Sequence, residues 1–131
     1  MFEVKKVRKS DFIETFWNWS ESHSFSRMDA ELLPKSALVC YSGEVPVYCL
    51  WWWSTDSKTA IVTYVMSNKE ASIEQKRGGL DALLEEMIFF AKDEGVKMIF
   101  FPTSSDVVGN KLLELGFSEG DSGFGQFFGY I

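Results

Sequence analysis

From Ile73 to Glu94, the residues Leu80, Leu83, Leu84, Met87, Ile88 and Ala91 recur at the spacing of one broad helical face, and Gly95 supplies the stop. A helix of that length with one apolar face needs an apolar surface to lie on. The segment before it provides one. Ala37 to Tyr41, Val45 to Trp53 and Thr59 to Met66 are apolar and rich in β-branched and aromatic residues, and Ser42-Gly43 and Ser54-Thr55-Asp56-Ser57 separate them. The pattern predicts a three-strand antiparallel meander followed by a long helix, which confines the chain to a layered helix-on-sheet architecture.

The rest of the chain extends that pattern. Phe2, Val4 and Val7 mark a half-buried strand, and Phe12, Phe16 and Trp19 mark a helix capped by Ser10 or Asp11 that fades between Ser20 and His23. A helical turn from Met28 to Leu33 ends at Pro34, which lacks the amide that continuation requires. Val96 to Phe101 is a short strand stopped by Pro102. A helix then opens at Thr103 to Asp106 and runs to Leu115, and the alternating Phe124, Gln126, Phe128 and Tyr130 predict a last antiparallel strand or hairpin. With Ser42-Gly43 as a two-residue turn, Cys49 falls opposite Ser36, away from Cys40, and no disulfide is expected. In the Trp51-Trp52-Trp53 run, Trp51 and Trp53 face one side of the strand and Trp52 the other.

Composition excludes several classes. Of 131 residues 46 % are apolar and 16 % aromatic, enough to form a core and to exclude overall disorder. The net charge of −6 gives no general attraction to nucleic acid or anionic membrane. The longest apolar run, Val47 to Trp53, falls far short of the ~20 residues that cross a bilayer. The alternating residues at the start lack the apolar block of a signal peptide, so a cytoplasmic location is expected. Two cysteines and one histidine offer no zinc-ligand spacing, and no metal is expected.

This order of elements, with Gln75-Lys76-Arg77-Gly78-Gly79-Leu80-Asp81-Ala82-Leu83-Leu84 opening the long helix and Leu115-Gly116-Phe117 closing the last one, resembles the GCN5-related N-acetyltransferases (GNAT). The resemblance implies one acyl-CoA N-acyltransferase domain over residues 1–131. It also implies an α+β fold of three layers, a mixed and mainly antiparallel central sheet flanked by helices. In that family a Gln/Arg-x-x-Gly-x-Gly/Ala segment cradles the coenzyme A pyrophosphate on backbone amides at a helix N-terminus, where the dipole adds to the attraction. Carried onto this sequence, the cradle is Gln75, Lys76, Arg77, Gly78, Gly79 and Leu80, with Leu80 standing where the family has its last Gly or Ala. Lys69, Lys76 and Arg77 add a cationic cluster, and the resemblance implies that the main chain around Tyr64, Val65 and Met66 pairs with the cofactor's acyl arm.

The resemblance further implies acetyl-CoA as cosubstrate and direct attack by an amine, carried on a small molecule or a protein. The family's proton-donating tyrosine, three residues before the Leu-Gly-Phe triplet, is Leu112 here, so Tyr64, Tyr130 or water has to substitute. Glu44 and Tyr64 are the candidate catalytic residues, and His23 in the Ser20 to Ser26 stretch is a further candidate base. The alternative is a catalytically inactive GNAT-fold binding or assembly protein that has lost coenzyme A binding. Leu80, Leu112 and the long Ser67 to Ser72 connection speak for it, and small acetyltransferase-like proteins of tailed bacteriophages are similar in size. No nucleic-acid or membrane partner is expected, and a homodimer stays open.

Overall fold

The computed structural model describes residues 1–121, 127, 129 and 130. Five strands, β1 (Phe2–Arg8), β2 (Ser36–Ser42), β3 (Val45–Ser54), β4 (Thr59–Ser67) and β5 (Met98–Phe100), form one sheet in the order β1-β2-β3-β4-β5. The first four pair antiparallel, while β5 runs parallel to β4. Helix α1 (Lys9–Ser22) follows β1, α2 (Ile73–Asp93) connects β4 to β5, and α3 (Asp106–Glu114) follows β5. A short 3-10 helix, Ala30–Leu32, precedes β2. The expected tail strand at Phe124 to Tyr130 falls largely outside the described residues.

Alternation along the strands feeds two cores. Leu38, Leu50, Trp52, Ala60 and Val62 face α2 and α3, packing on Leu80, Leu83, Leu84, Met87, Val108 and Leu112. Ala37, Val39, Cys49 and Trp51 face α1 and pack on Phe12, Phe16 and Trp19. The Trp run therefore divides between the faces as the strand period requires. Trp51 meets Phe16 edge-on at 5.2 Å, and the Trp52 indole donates to Glu94 Oε2 at 3.0 Å. Glu94 also holds Lys6 of β1, so the end of α2 is tied to two strands.

Three local expectations are corrected. The β2–β3 turn is Gly43-Glu44, with Ser42 opposite Val45, because Gly43 takes φ +65° as the first central residue. A further register shift leaves Val47 without a partner on β2, so Cys49 lies opposite Val39 and not Ser36. Both cysteines are free, and they are turned to opposite faces of the sheet. Helix α1 starts at Lys9 with no side-chain cap from Ser10 or Asp11. Its first amide donates to Lys35 O, while the Lys9 ammonium reaches the carbonyls of Ala30 and Leu33.

Candidate functional site

Strand β4 changes character halfway along. Its first residues pair with β5 at Thr59–Met98, Ala60–Ile99 and Ile61–Phe100, and there β5 ends before Pro102. Beyond Ile61, among the described residues, β4 has β3 on one side and no strand on the other. That half of the strand is an open edge among the described residues.

A bulge sits in the open half. Cys49 lies opposite Met66 and Trp51 opposite Thr63, so Tyr64 and Val65 together oppose Leu50. Tyr64 takes φ +51°, a conformation that costs a non-glycine residue on the order of 1–3 kcal/mol. The extra residue reverses the faces. Ala60 and Val62 point to α2, whereas Tyr64 and Met66 join the α1 core and Val65 packs toward α2. The Tyr64 ring lies 6.2 Å from Phe16. Burial first, and the Tyr130 phenol second, push the Tyr64 phenol above its ordinary value, so it keeps its proton at neutral pH.

At the far end of β4, His23 Nε2 lies 2.8 Å from Ser67 O. A carbonyl only accepts, so this nitrogen carries the hydrogen, and in the neutral ring Nδ1 is left as the basic atom. The contact pins the end of α1 over the end of β4, a link that nothing in the spacing of Ser20 to Ser26 signals.

The turn from β4 into α2 is closed by its own groups. Asn68 donates its amide to Val47 O and its side chain to Pro46 O, and it accepts from the amides of Glu70 and Ala71. Ser72 and Gln75 form a capping box: the Gln75 amide donates to Ser72 Oγ at 3.1 Å and the Ser72 amide to Gln75 Oε1 at 2.9 Å. Gln75 Nε2 then reaches Ser42 Oγ. Every functional atom of Gln75 is thus in use within the fold.

The cradle expected over Gln75 to Leu80 falls inside the first two turns of α2, where amides donate to the preceding turn. Its glycines serve packing. A Cβ on Gly78 would lie 2.3 Å from the Phe2 ring, and one on Gly79 would lie 2.8 Å from Val47 Cγ2. These are the places where α2 lies closest on β1 and β3. Leu80 is a core residue, 2 % exposed. Lys76 is half-buried, and Lys69 and Arg77 are exposed beside Glu70 and Glu74. These residues do not fit a pyrophosphate.

Glu44 is exposed in the β2–β3 turn. Tyr64 lies opposite Leu50, six residues along β3 from Glu44 and roughly 20 Å away at the strand rise, so the two candidate catalytic residues are not brought together. Leu112 is buried with Val108 in the core that α3 shares with α2. Surface concavities beside Phe2, Val4 and Glu86 and beside Trp17 and Arg27 include no β4 residue. Among the described residues no three His, Cys, Asp or Glu side chains converge on a metal position, and no helix is long and apolar enough to cross a membrane.

No protein-family model matches the chain, and no curated protein matches it in sequence. Solved structures do match the fold. An aminoglycoside acetyltransferase from an uncultured soil metagenomic sample, in complex with sisomicin, superposes with a TM-score of 0.71 at 13 % identity, covering 98 % of this chain and 96 % of that one. The ribosomal-protein-S18-alanine N-acetyltransferase from Escherichia coli superposes with a TM-score of 0.72 at 15 % identity, covering 92 % of this chain and 80 % of that one. A probable acetyltransferase gives 0.68 at 15 % identity, covering 98 % and 97 %. The chain has the GNAT fold, a five-stranded and mostly antiparallel sheet flanked by helices.

Proposed function

We propose that this chain is an N-acyltransferase of the GNAT type that takes an acyl group, acetyl in the simplest case, from a coenzyme A thioester and passes it to an amine. One observation carries the reading. Tyr64 is held at φ +51° in a bulge on the half of β4 that has no β5 partner among the described residues, so strain and an open strand edge occur at the same place. An open strand edge recognises an extended amide chain as a sheet recognises another strand. The main chain at Tyr64, Val65 and Met66 would hold the donor's arm in this way. Acetyl-CoA supplies an activated acyl group that an amine can attack directly.

The protein's own groups orient and protonate. The Tyr64 phenol, carried on the bulge and protonated at neutral pH, would be the hydrogen donor. His23, fixed by its bond to Ser67 O, keeps Nδ1 available to accept a proton at the other end of the open edge. The acceptor follows at the level of an amine. Of the superposed structures, one is named an aminoglycoside acetyltransferase and one a ribosomal-protein-S18-alanine N-acetyltransferase, and a chain of net charge −6 favours cationic amines. A cytoplasmic location belongs to the same reading, since such thioesters are intracellular metabolites.

A second reading, a GNAT-fold binding protein without catalysis, is favoured by the closed turn before α2 and by the buried Leu112. Calorimetric titration with acetyl-CoA, followed by a thiol-release assay over a panel of amines, separates the two. Binding between about 1 μM and 1 mM with thiol release supports the transferase, as these are ordinary substrate affinities. No binding at millimolar donor leaves the binding-protein reading.

A further inference from the structure

The two ends of the proposed donor cleft are built differently. On the β5 side of β4 no described strand pairs beyond Ile61, while at the turn into α2 most of the amides that would meet a polyanion are already spent, leaving those of Lys69, Ile73 and Glu74. Asn68, Glu70 and Ala71 donate within the turn, and Ser72 and Gln75 donate to each other's side chains at 2.9 and 3.1 Å. Lys76 donates to Ser72 O at 3.0 Å. A pyrophosphate needs a run of free amides converging on its oxygens, and here the longest run is the pair Ile73 and Glu74, bounded on both sides by the capping box.

Two further facts act in the same direction. The glycines that would let backbone approach a phosphate lie within α2 against Phe2 and Val47, so the space a side chain would take is filled by the sheet. Glu70 and Glu74 are exposed in the same segment as Lys69, Lys76 and Arg77 and offset two of those three charges. Displacing the capping box to free its amides would give up two hydrogen bonds at the start of α2.

Resting on the acyltransferase reading, we infer that the donor is recognised through its acylated pantetheine arm and not through its nucleotide. The ligand class is acyl-pantetheine thioesters, of which acetyl-CoA is one member whose nucleotide end stays in solvent. The protein then distinguishes poorly between the full coenzyme and the arm alone.

The test is calorimetry of the full chain with three probes: acetyl-CoA, S-acetylpantetheine and adenosine 3′-phosphate 5′-diphosphate. The inference expects the first two to bind within about tenfold of each other, a difference under ~1.4 kcal/mol, and the nucleotide not to compete with acetyl-CoA. S-acetylpantetheine binding more than about tenfold weaker, or competition by the nucleotide, overturns it while the acyltransferase reading stands. Binding by none of the three overturns that reading and this inference together. A Ser72→Gly, Gln75→Ala double variant reads the same point from the other side. Freed amides raise acetyl-CoA affinity at least about threefold and leave S-acetylpantetheine unchanged, whereas equal behaviour of the double variant and the parent toward acetyl-CoA counts against the closed turn as the cause.

Discussion

Replacing Gly79 by alanine separates a glycine kept for packing from one kept for phosphate. The added Cβ would sit 2.8 Å from Val47 Cγ2 and 3.8 Å from Cys40 Sγ. Ordinary carbon contact begins near ~3.5 Å, so something must give by about 0.7 Å. Val47 is fully buried on the irregular part of β3, and its branched side chain has little rotamer freedom. We therefore place the overpacking cost near the upper end of the usual range, ~3 kcal/mol, against a gain of ~1 kcal/mol from removing glycine inside a helix. The net expectation is a loss of about 2 kcal/mol, read as a lower urea midpoint at unchanged slope. Gly78→Ala should be close to neutral even though its Cβ meets Phe2 at 2.3 Å, because that half-buried ring on an edge strand can swing outward. Combining Gly79→Ala with Val47→Ala should recover about 1–2 kcal/mol as a coupling energy. A Gly79→Ala protein as stable as its parent, with weakened donor binding, would refute the packing account and restore the cradle.

Alkaline unfolding should follow the buried thiols and phenols. Burial raises Cys40 from 9.0 to about 11, and it raises Cys49 further and the phenols of Tyr41, Tyr48 and Tyr64 in the same direction. The unfolded chain ionises these groups first. Stability is therefore full below about pH 9 and falls as pH rises toward 11, by up to ~1.4 kcal/mol per pH unit for each such group, and Cys40→Ala should flatten the slope measured by urea titration. Leu112→Tyr, which restores the residue type that the family resemblance expects, should lower stability by ~1–3 kcal/mol through overpacking between α3 and α2 and should not speed acyl transfer. A rate gain at unchanged stability would show that this position reaches the cleft. Tyr64→Phe should lower the transfer rate at least about tenfold with donor affinity unchanged, and an unchanged rate would remove Tyr64 as proton donor.

The parts of the fold that were legible are those where one physical rule acts alone. The apolar face from Leu80 to Ala91 has no reading other than a helix on a surface, and α2 forms from Ile73 to Asp93 as expected. The strands of the meander follow from their β-branched and aromatic runs. Register did not follow, because Ser42-Gly43 and Gly43-Glu44 are both acceptable two-residue turns and nothing at Val47 announces an irregularity. The bulge at Tyr64 was hidden for a deeper reason: left-handed backbone is normally signalled by Gly or Asn, and here the sheet imposes it on tyrosine. Gly78-Gly79 was ambiguous, since one residue type serves both phosphate approach and close helix packing. The deciding signal was nevertheless present, as Ser72 followed three residues later by Gln75 is a capping box, which starts the helix before the glycines.

The strain at Tyr64 has a packing consequence as well as a chemical one, and the two have to be told apart. Without the extra residue, Met66 would turn away from the α1 core, where it is now 7 % exposed, and Val65 would leave the opposite face. A cost on the order of 1–3 kcal/mol for the left-handed backbone is thus offset by two cores filled at once, which gives a reason to retain the bulge in a protein with no catalysis. Among the described residues no comparable packing role engages the phenol oxygen. The contact with Phe16 uses only the ring, and phenylalanine would make it equally well. Tyr64→Phe keeps the ring, the bulge and the main chain that the proposal assigns to the donor's arm, and removes one proton donor. A rate lost at constant stability and constant donor affinity therefore belongs to chemistry at Tyr64, and a rate retained assigns the bulge to folding alone.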